Sequence, residues 1–309
     1  MKRIILLIFL STLLYSCKTY KIQEKWVFIE SKYDAKKFYS YIERSDLEDQ
    51  DKSTIKRVVD NLINTDNVEI YKNEDVSVNR KYIQINDSIK LEYFEFQPKI
   101  YSKSGLFFIG NGSNVLSTYK ELEKLAIETK SKIYVLNYRG YGKSEGTPSF
   151  KTVFEDNNSF LKFIESTNEN IDFVIGYSLG SISATYLAVD NAINNLILLA
   201  PLSNADEMLS YIKTQQMKGL KSVAKPLIKI TAEDYLLKLS NTEKISSYHG
   251  RLIVSHAIDD KALPFKMGKG LFDACPSLQK ELIKIEKGGH GAPFKDSYWK
   301  QIISDLNNI

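Results

Sequence analysis

From about residue 76 onward, short apolar runs alternate with stretches whose apolar residues return every three or four positions. Leu106-Phe107-Phe108-Ile109, Ile133-Tyr134-Val135-Leu136, Ile171 to Gly176, Leu196 to Ala200, Leu252-Ile253-Val254 and Leu282 to Ile285 are strand-length runs of this kind. Such runs belong to strands buried on both faces, whereas a strand with one wet face would alternate. Between them, Leu122, Leu125 and Ala126 mark one helical face, and Phe154, Phe160, Leu161 and Ile164 mark another. Tyr298, Trp299, Ile302, Ile303 and Leu306 mark a closing helix. The opening of the region differs: Tyr82 to Ile85 and Ile89 to Phe96 flank the turn composition Asn86-Asp87-Ser88 and predict an antiparallel hairpin. Together the pattern predicts the α/β class, a mostly parallel sheet covered by helices on both faces, with the ligand site at the carboxyl ends of its strands.

Two segments stand outside this rhythm. Residues 18–75 carry two amphipathic helical patterns, one through Phe38, Tyr41 and Ile42 and one through Ile55, Val58, Val59, Leu62 and Ile63. They read as a helical N-terminal extension packed on a main domain of residues 76–309, with a partner-binding or membrane-facing role as the alternative. Residues 203–248 read as a helical insertion rich in lysine, at Lys213, Lys218, Lys221, Lys225, Lys229 and Lys238. An insertion between two strands is where a lid over the site is expected; the lysines themselves read as a solvated face.

The first residues form a third unit. Met1-Lys2-Arg3, an apolar run from Ile4 to Leu10 and the ending Leu14-Tyr15-Ser16-Cys17 have the form of a secretory signal, with too short an apolar run for a membrane span. The Leu-x-Ser-Cys ending resembles a bacterial lipoprotein box, which implies lipidation of Cys17 and a membrane-anchored protein in the cell envelope, outside the cytoplasm.

Composition removes several function classes. A net charge of +4 over 309 residues, with no block of five Lys or Arg, gives no electrostatic case for nucleic acid. Three histidines and two cysteines argue against a His/Cys metal cluster. With Cys17 in the signal, Cys275 is alone in the body of the protein and no internal disulfide is expected.

The candidate chemistry centres on Gly176-Tyr177-Ser178-Leu179-Gly180, where a buried strand gives way to helix. Ser178 is either the nucleophile on a tight strand-to-helix elbow or an ordinary helix-capping hydroxyl. A serine nucleophile needs a base. His290, in Lys287-Gly288-Gly289-His290-Gly291 after the last strand, is the favoured base; His256 ends a strand and reads as packing or loop support, and His249 precedes one, at the far edge. The base must be neutral to accept a proton, so activity should fall at acid pH. A carboxylate must orient the imidazole. Asp259 and Asp260 both follow the Leu252 strand, and spacing to Leu263-Pro264 favours Asp260; Asp206 is a further candidate. For the oxyanion hole, the elbow geometry offers the N–H of Leu179, and the glycine-containing loop Gly110-Asn111-Gly112-Ser113-Asn114 offers that of Asn111.

The elbow, Asn137-Tyr138-Arg139-Gly140-Tyr141-Gly142-Lys143-Ser144-Glu145-Gly146-Thr147-Pro148, Asp260 ahead of Leu263-Pro264, and Gly289-His290 together resemble the α/β-hydrolase superfamily, with Bem46-like and serine-aminopeptidase-like hydrolases as the nearest subgroup. The resemblance spans about residues 80–309. It implies an eight-stranded sheet, no cofactor, and cleavage of carboxylic esters, thioesters or amides. The chain departs from the family at Ile109, where a His-Gly pair is usual, and at Ala257, where glycine usually follows the histidine. The expectation is a serine esterase or thioesterase with the triad Ser178, Asp260 and His290, acting on a small-molecule or lipid-like acyl substrate. A peptidase or amidase of the same fold, or a non-catalytic binding protein on a hydrolase scaffold, is the alternative.

Overall fold

The computed structural model describes residues 18–44, 48–65, 68–216 and 228–309. In chain order its main elements are β1 (Lys18–Ile22), α1 (Ala35–Arg44), α2 (Asp49–Asn64), β2 (Glu69–Lys72), β3 (Val76–Asn86), β4 (Ile89–Pro98), β5 (Lys103–Phe108) and α3 (Tyr119–Thr129). There follow β6 (Ser131–Leu136), α4 (Phe150–Glu165), β7 (Phe173–Tyr177), α5 (Gly180–Asp190), β8 (Asn195–Leu199) and α6 (Ala205–Gln216). The chain ends with β9 (Ile228–Ala232), α7 (Asp234–Leu237), α8 (Asn241–Ile245), β10 (Arg251–Ala257), α9 (Phe265–Ala274), β11 (Lys280–Ile285) and α10 (Asp296–Asn307).

The apolar runs form the centre of one large sheet ordered β11-β10-β8-β7-β5-β6-β4-β3-β2. From β6 to β11 all neighbours are parallel; β2, β3 and β4 add an antiparallel margin. Every residue of β6 is buried, as helices on both faces require, while β3 alternates because one of its faces meets solvent. In the register of β5 and β7, Phe108 lies beside Gly176. The loops that leave these two strands therefore emerge side by side at the carboxyl edge, which is what brings the Gly110 loop to the elbow.

Two expectations are corrected. The sheet has nine strands rather than eight. The additional one, β2, is a four-residue edge strand that pairs with β3 through a register shift between Glu69 and Tyr71, too short and irregular to leave a periodic signal. The insertion is also not wholly helical: Ile228-Lys229-Ile230-Thr231-Ala232 is a strand, paired in parallel with Lys18–Ile22. Its alternation of apolar and polar residues is the strand period, but its partner lies two hundred positions away in sequence. Lys218, Lys221 and Lys225 lie outside the described residues, as do the signal segment and Cys17.

The extension is packed into the main core. Ile42, Val58, Val59 and Leu62 are fully buried in the same apolar cluster as the sheet. Arg80 of β3, also fully buried, donates to the carbonyls of Leu62 (2.9 Å) and Thr65 (2.6 Å). A cation at the carboxyl end of α2 satisfies carbonyls that the helix itself leaves unpaired and complements the helix dipole.

Candidate active site

Ser178 sits between β7 and α5 with φ = 54°, a left-handed conformation that costs a non-glycine residue about 1–3 kcal/mol. The surroundings enforce it. A Cβ on Gly176 would come within 2.6 Å of the Ala184 side chain, and one on Gly180 within 2.3 Å of the Phe108 carbonyl. Both glycines therefore permit strand and helix to close on each other, and the Ser178 N–H is fixed on the Leu199 carbonyl at 2.9 Å. The capping alternative for Ser178 is not realised: Leu179 occupies the cap of α5, and the serine hydroxyl is engaged elsewhere.

Its partner is His290, whose Nε2 lies 2.9 Å from Ser178 Oγ. The loop carrying His290 turns through Gly288 and Gly289, both at positive φ. Asp259 holds that loop: its carboxylate accepts the N–H groups of Gly288 (3.0 Å) and Gly289 (2.8 Å). The other imidazole nitrogen, Nδ1, lies 2.7 Å from Asp260 Oδ2. Asp260 Oδ1 in turn accepts the N–H groups of Ala262 (2.7 Å) and Leu263 (3.0 Å), so the carboxylate cannot rotate freely. Burial by itself would raise the Asp260 carboxyl, but hydrogen bonds from His256, His290 and the Leu263 N–H outweigh it and hold it well below the ordinary carboxylate range. The adjacent aspartates are thus separated in role, one bound to the imidazole and one to its loop. Asp206 is exposed on the first turn of α6, and His249 is exposed before β10; neither bonds to His290.

Leu179 and Asn111 both line a cavity of about 380 Å³ that opens onto Ser178 and His290. Neither backbone N–H has a protein acceptor among the described residues. Gly110, just before Asn111, lies so close that a Cβ there would be 3.3 Å from Ser178 Cβ. The arrangement can therefore move a proton from Ser178 to His290 while two backbone donors remain available to a nearby anion. Among the described residues no group of three or more His, Cys, Asp or Glu is disposed to hold a metal ion.

Comparison with known proteins agrees with this geometry at the level of fold. Residues 114–250 match the family described as serine aminopeptidase, S33. The esterase Pf2001 of Pyrococcus furiosus superposes with a TM-score of 0.60 at 16% identity, over 75% of this chain and 91% of that one. The fold is that of the α/β hydrolases. The uncharacterized membrane protein YNL320W of Saccharomyces cerevisiae is 26% identical to this chain over 226 residues, 71% of this chain and 76% of that protein. Lysophosphatidylserine lipase ABHD12 of Rattus norvegicus is 27% identical over 186 residues, 57% of this chain but only 45% of the lipase's own length.

Two further parts of the site go beyond the sequence reading, which gave His256 only as packing or loop support. One is His256, fully buried, whose Nε2 reaches Asp260 Oδ2 at 3.3 Å as well as the Leu263 carbonyl at 2.9 Å. Its position four residues before Asp260 was the available signal. The other is the stretch before α1, where Ile22, Trp26 and Val27 line the cavity. These residues lie some 150 positions from the elbow and carry no motif.

Proposed function

We propose that this chain is a serine hydrolase of carboxylic esters or thioesters with apolar acyl groups. Ser178 Oγ attacks the acyl carbon as its proton passes to His290 Nε2, and the Leu179 and Asn111 N–H groups receive the oxyanion. His290 returns the proton to the departing alcohol or thiol, and water, deprotonated by the same nitrogen, releases the acid from Ser178. Asp260 stabilises the imidazolium and holds its orientation. The observation that carries this reading is the continuous chain Ser178 Oγ–His290–Asp260, at 2.9 and 2.7 Å, facing an uncharged cavity.

An aminopeptidase is the second reading, because the matched family bears that description. Such an enzyme must pair the substrate's terminal ammonium with an acceptor, normally a carboxylate; among the described residues no Asp or Glu lines the cavity. That absence favours acyl substrates. The Leu-x-Ser-Cys ending supports lipidation at Cys17 and hence a membrane-tethered envelope protein, the finer resemblance to Bem46-like hydrolases belongs to the same reading, and residues 203–248 serve in it as the lid. Among the described residues no helix is long and apolar enough to cross a membrane.

A fluorophosphonate probe tests the proposal. It should label the wild type and spare Ser178→Ala, and ester hydrolysis should fall by at least a thousandfold in the variant. Equal labelling of both proteins would sink it, and a silent wild type would favour the binding-protein alternative.

A further inference from the structure

The stretch of residues 18–33 crosses the site as a strap with its own fastenings. β1 pairs with β9 from Lys18↔Ile228 to Ile22↔Ala232, and the Glu233 N–H continues the ladder to the Ile22 carbonyl at 3.0 Å. Glu24 Oε1 accepts the N–H of Phe150, at the start of α4, at 2.6 Å, and the Glu24 N–H donates to Glu233 Oε2 at 3.0 Å. Asn111 holds both sides of the next turn: its Nδ2 donates to the Val27 carbonyl (2.5 Å) and its Oδ1 accepts the Ile29 N–H (2.7 Å). Farther along, the Gly142 N–H donates to the Ser31 carbonyl at 2.8 Å, and Tyr33 donates to Glu92 at 2.7 Å.

The strap and α6 line the same cavity. Ile22, Trp26 and Val27 come from the strap, and Met208, Leu209 and Ile212 from α6. The indole N–H of Trp26 is the one conventional hydrogen-bonding group among these six side chains. A hydroxylated or charged acyl group would lose water there with at most that one N–H as a partner, whereas an unbranched hydrocarbon chain would lose nothing. The volume, about 380 Å³, lies near the lower end of the roughly 300–1,000 Å³ common for small-molecule sites, so one chain fits better than a bulky two-chain group. Trp26 is 60% exposed, an indole surface that a chain would cover.

We propose that the strap is the specificity element of this site, and that it selects a single linear aliphatic acyl chain, which lies against Ile22, Trp26 and Val27 of the strap and the apolar residues of α6. The proposal rests on the reading of Ser178 as the nucleophile only for what happens to the ester bond. Seating of the chain needs no reaction, and a test by binding separates the two.

Trp26 and Trp299 are the two tryptophans of the chain, and Trp299 is buried, so a change of emission on adding a fatty acid is assigned by substitution. Dodecanoate, titrated below its micellar concentration into the full chain, should shift Trp26 emission to shorter wavelength with saturation. The same titration curve is expected for Ser178→Ala, and the shift should vanish in Trp26→Phe. In parallel, the ratio of kcat/KM for p-nitrophenyl octanoate to that for the acetate should fall at least threefold in Trp26→Ala, while Leu278→Ala, fully exposed at the opposite edge of the sheet, should leave it unchanged. No saturable shift, or an equal shift in Trp26→Phe, overturns the proposal. If Ser178→Ala keeps the fluorophosphonate labelling but the dodecanoate shift is present, the nucleophile reading fails and the strap proposal stands.

Discussion

His256 Nε2 lies 3.3 Å from Asp260 Oδ2, the oxygen that His290 Nδ1 approaches at 2.7 Å. Two imidazoles thus share one carboxylate oxygen. The Leu263 carbonyl, 2.9 Å from the same His256 nitrogen, can only accept, so that nitrogen carries its hydrogen and divides it between the two acceptors. In the proposed mechanism His256 is a positioning residue, acting on His290 through Asp260. His256→Phe should lower kcat about tenfold, equivalent to roughly 1.4 kcal/mol of barrier, with KM nearly unchanged. A purely structural loss would instead lower the active fraction, which titration with the fluorophosphonate probe measures directly.

Asp260 and Glu92 should give stability profiles of opposite slope. The Asp260 carboxyl is held below its ordinary value of 3.8, so its hydrogen bonds stabilise the fold fully above that pH and lose their contribution as the pH falls toward the lower folded value. The melting-temperature gap between wild type and Asp260→Asn should therefore be constant from pH 7 to 5 and narrow below about 4. Glu92 is fully buried, and burial raises its carboxyl against the opposing hydrogen bonds of Lys143, Tyr33 and Asn137 and the charge of Arg80. Its ionised form burdens the fold, a cost that is absent at low pH and grows as the pH rises from the ordinary value of 4.5 toward the higher folded value. Glu92→Gln should thus gain stability relative to wild type on going from pH 4 to pH 8. A gap that moved the other way would show that the three donors and the Arg80 charge outweigh burial.

Asn111 joins two functions in one residue, a backbone N–H at the cavity and a side chain bonded to Val27, Ile29 and the Tyr141 hydroxyl. Asn111→Ala keeps the N–H and removes the bonds. It should reduce kcat about tenfold, less than the 100- to 1,000-fold typical of deleting an oxyanion donor outright, and should also raise KM for octanoyl esters more than for acetyl esters. Equal effects on both esters would separate the loop from the strap.

The sheet could be read from sequence because its strands are buried on both faces and so lack polar interruptions; β6, buried along its whole length, is the clearest case. The elbow was legible for a steric reason: Gly176 and Gly180 stand where any side chain would meet Ala184 or the Phe108 carbonyl. Asp259 and Asp260 could be narrowed only by spacing, since both are one turn from the strand and differ in which group they meet. The pairing of β1 with β9 had no local signature. A five-residue alternating strand is unstable alone, and its existence depends on a partner that no window of sequence contains.

The ladder between Lys18–Ile22 and Ile228–Ala232 also defines what can be exchanged between such enzymes. A chimera that received residues 203–248 alone would carry an open strand edge, prone to pairing with another molecule. Transplanted together with residues 18–33, the same insertion would bring its edge already closed. The transferable module is therefore discontinuous in sequence, and compensating substitutions around residue 20 should accompany those around residue 230.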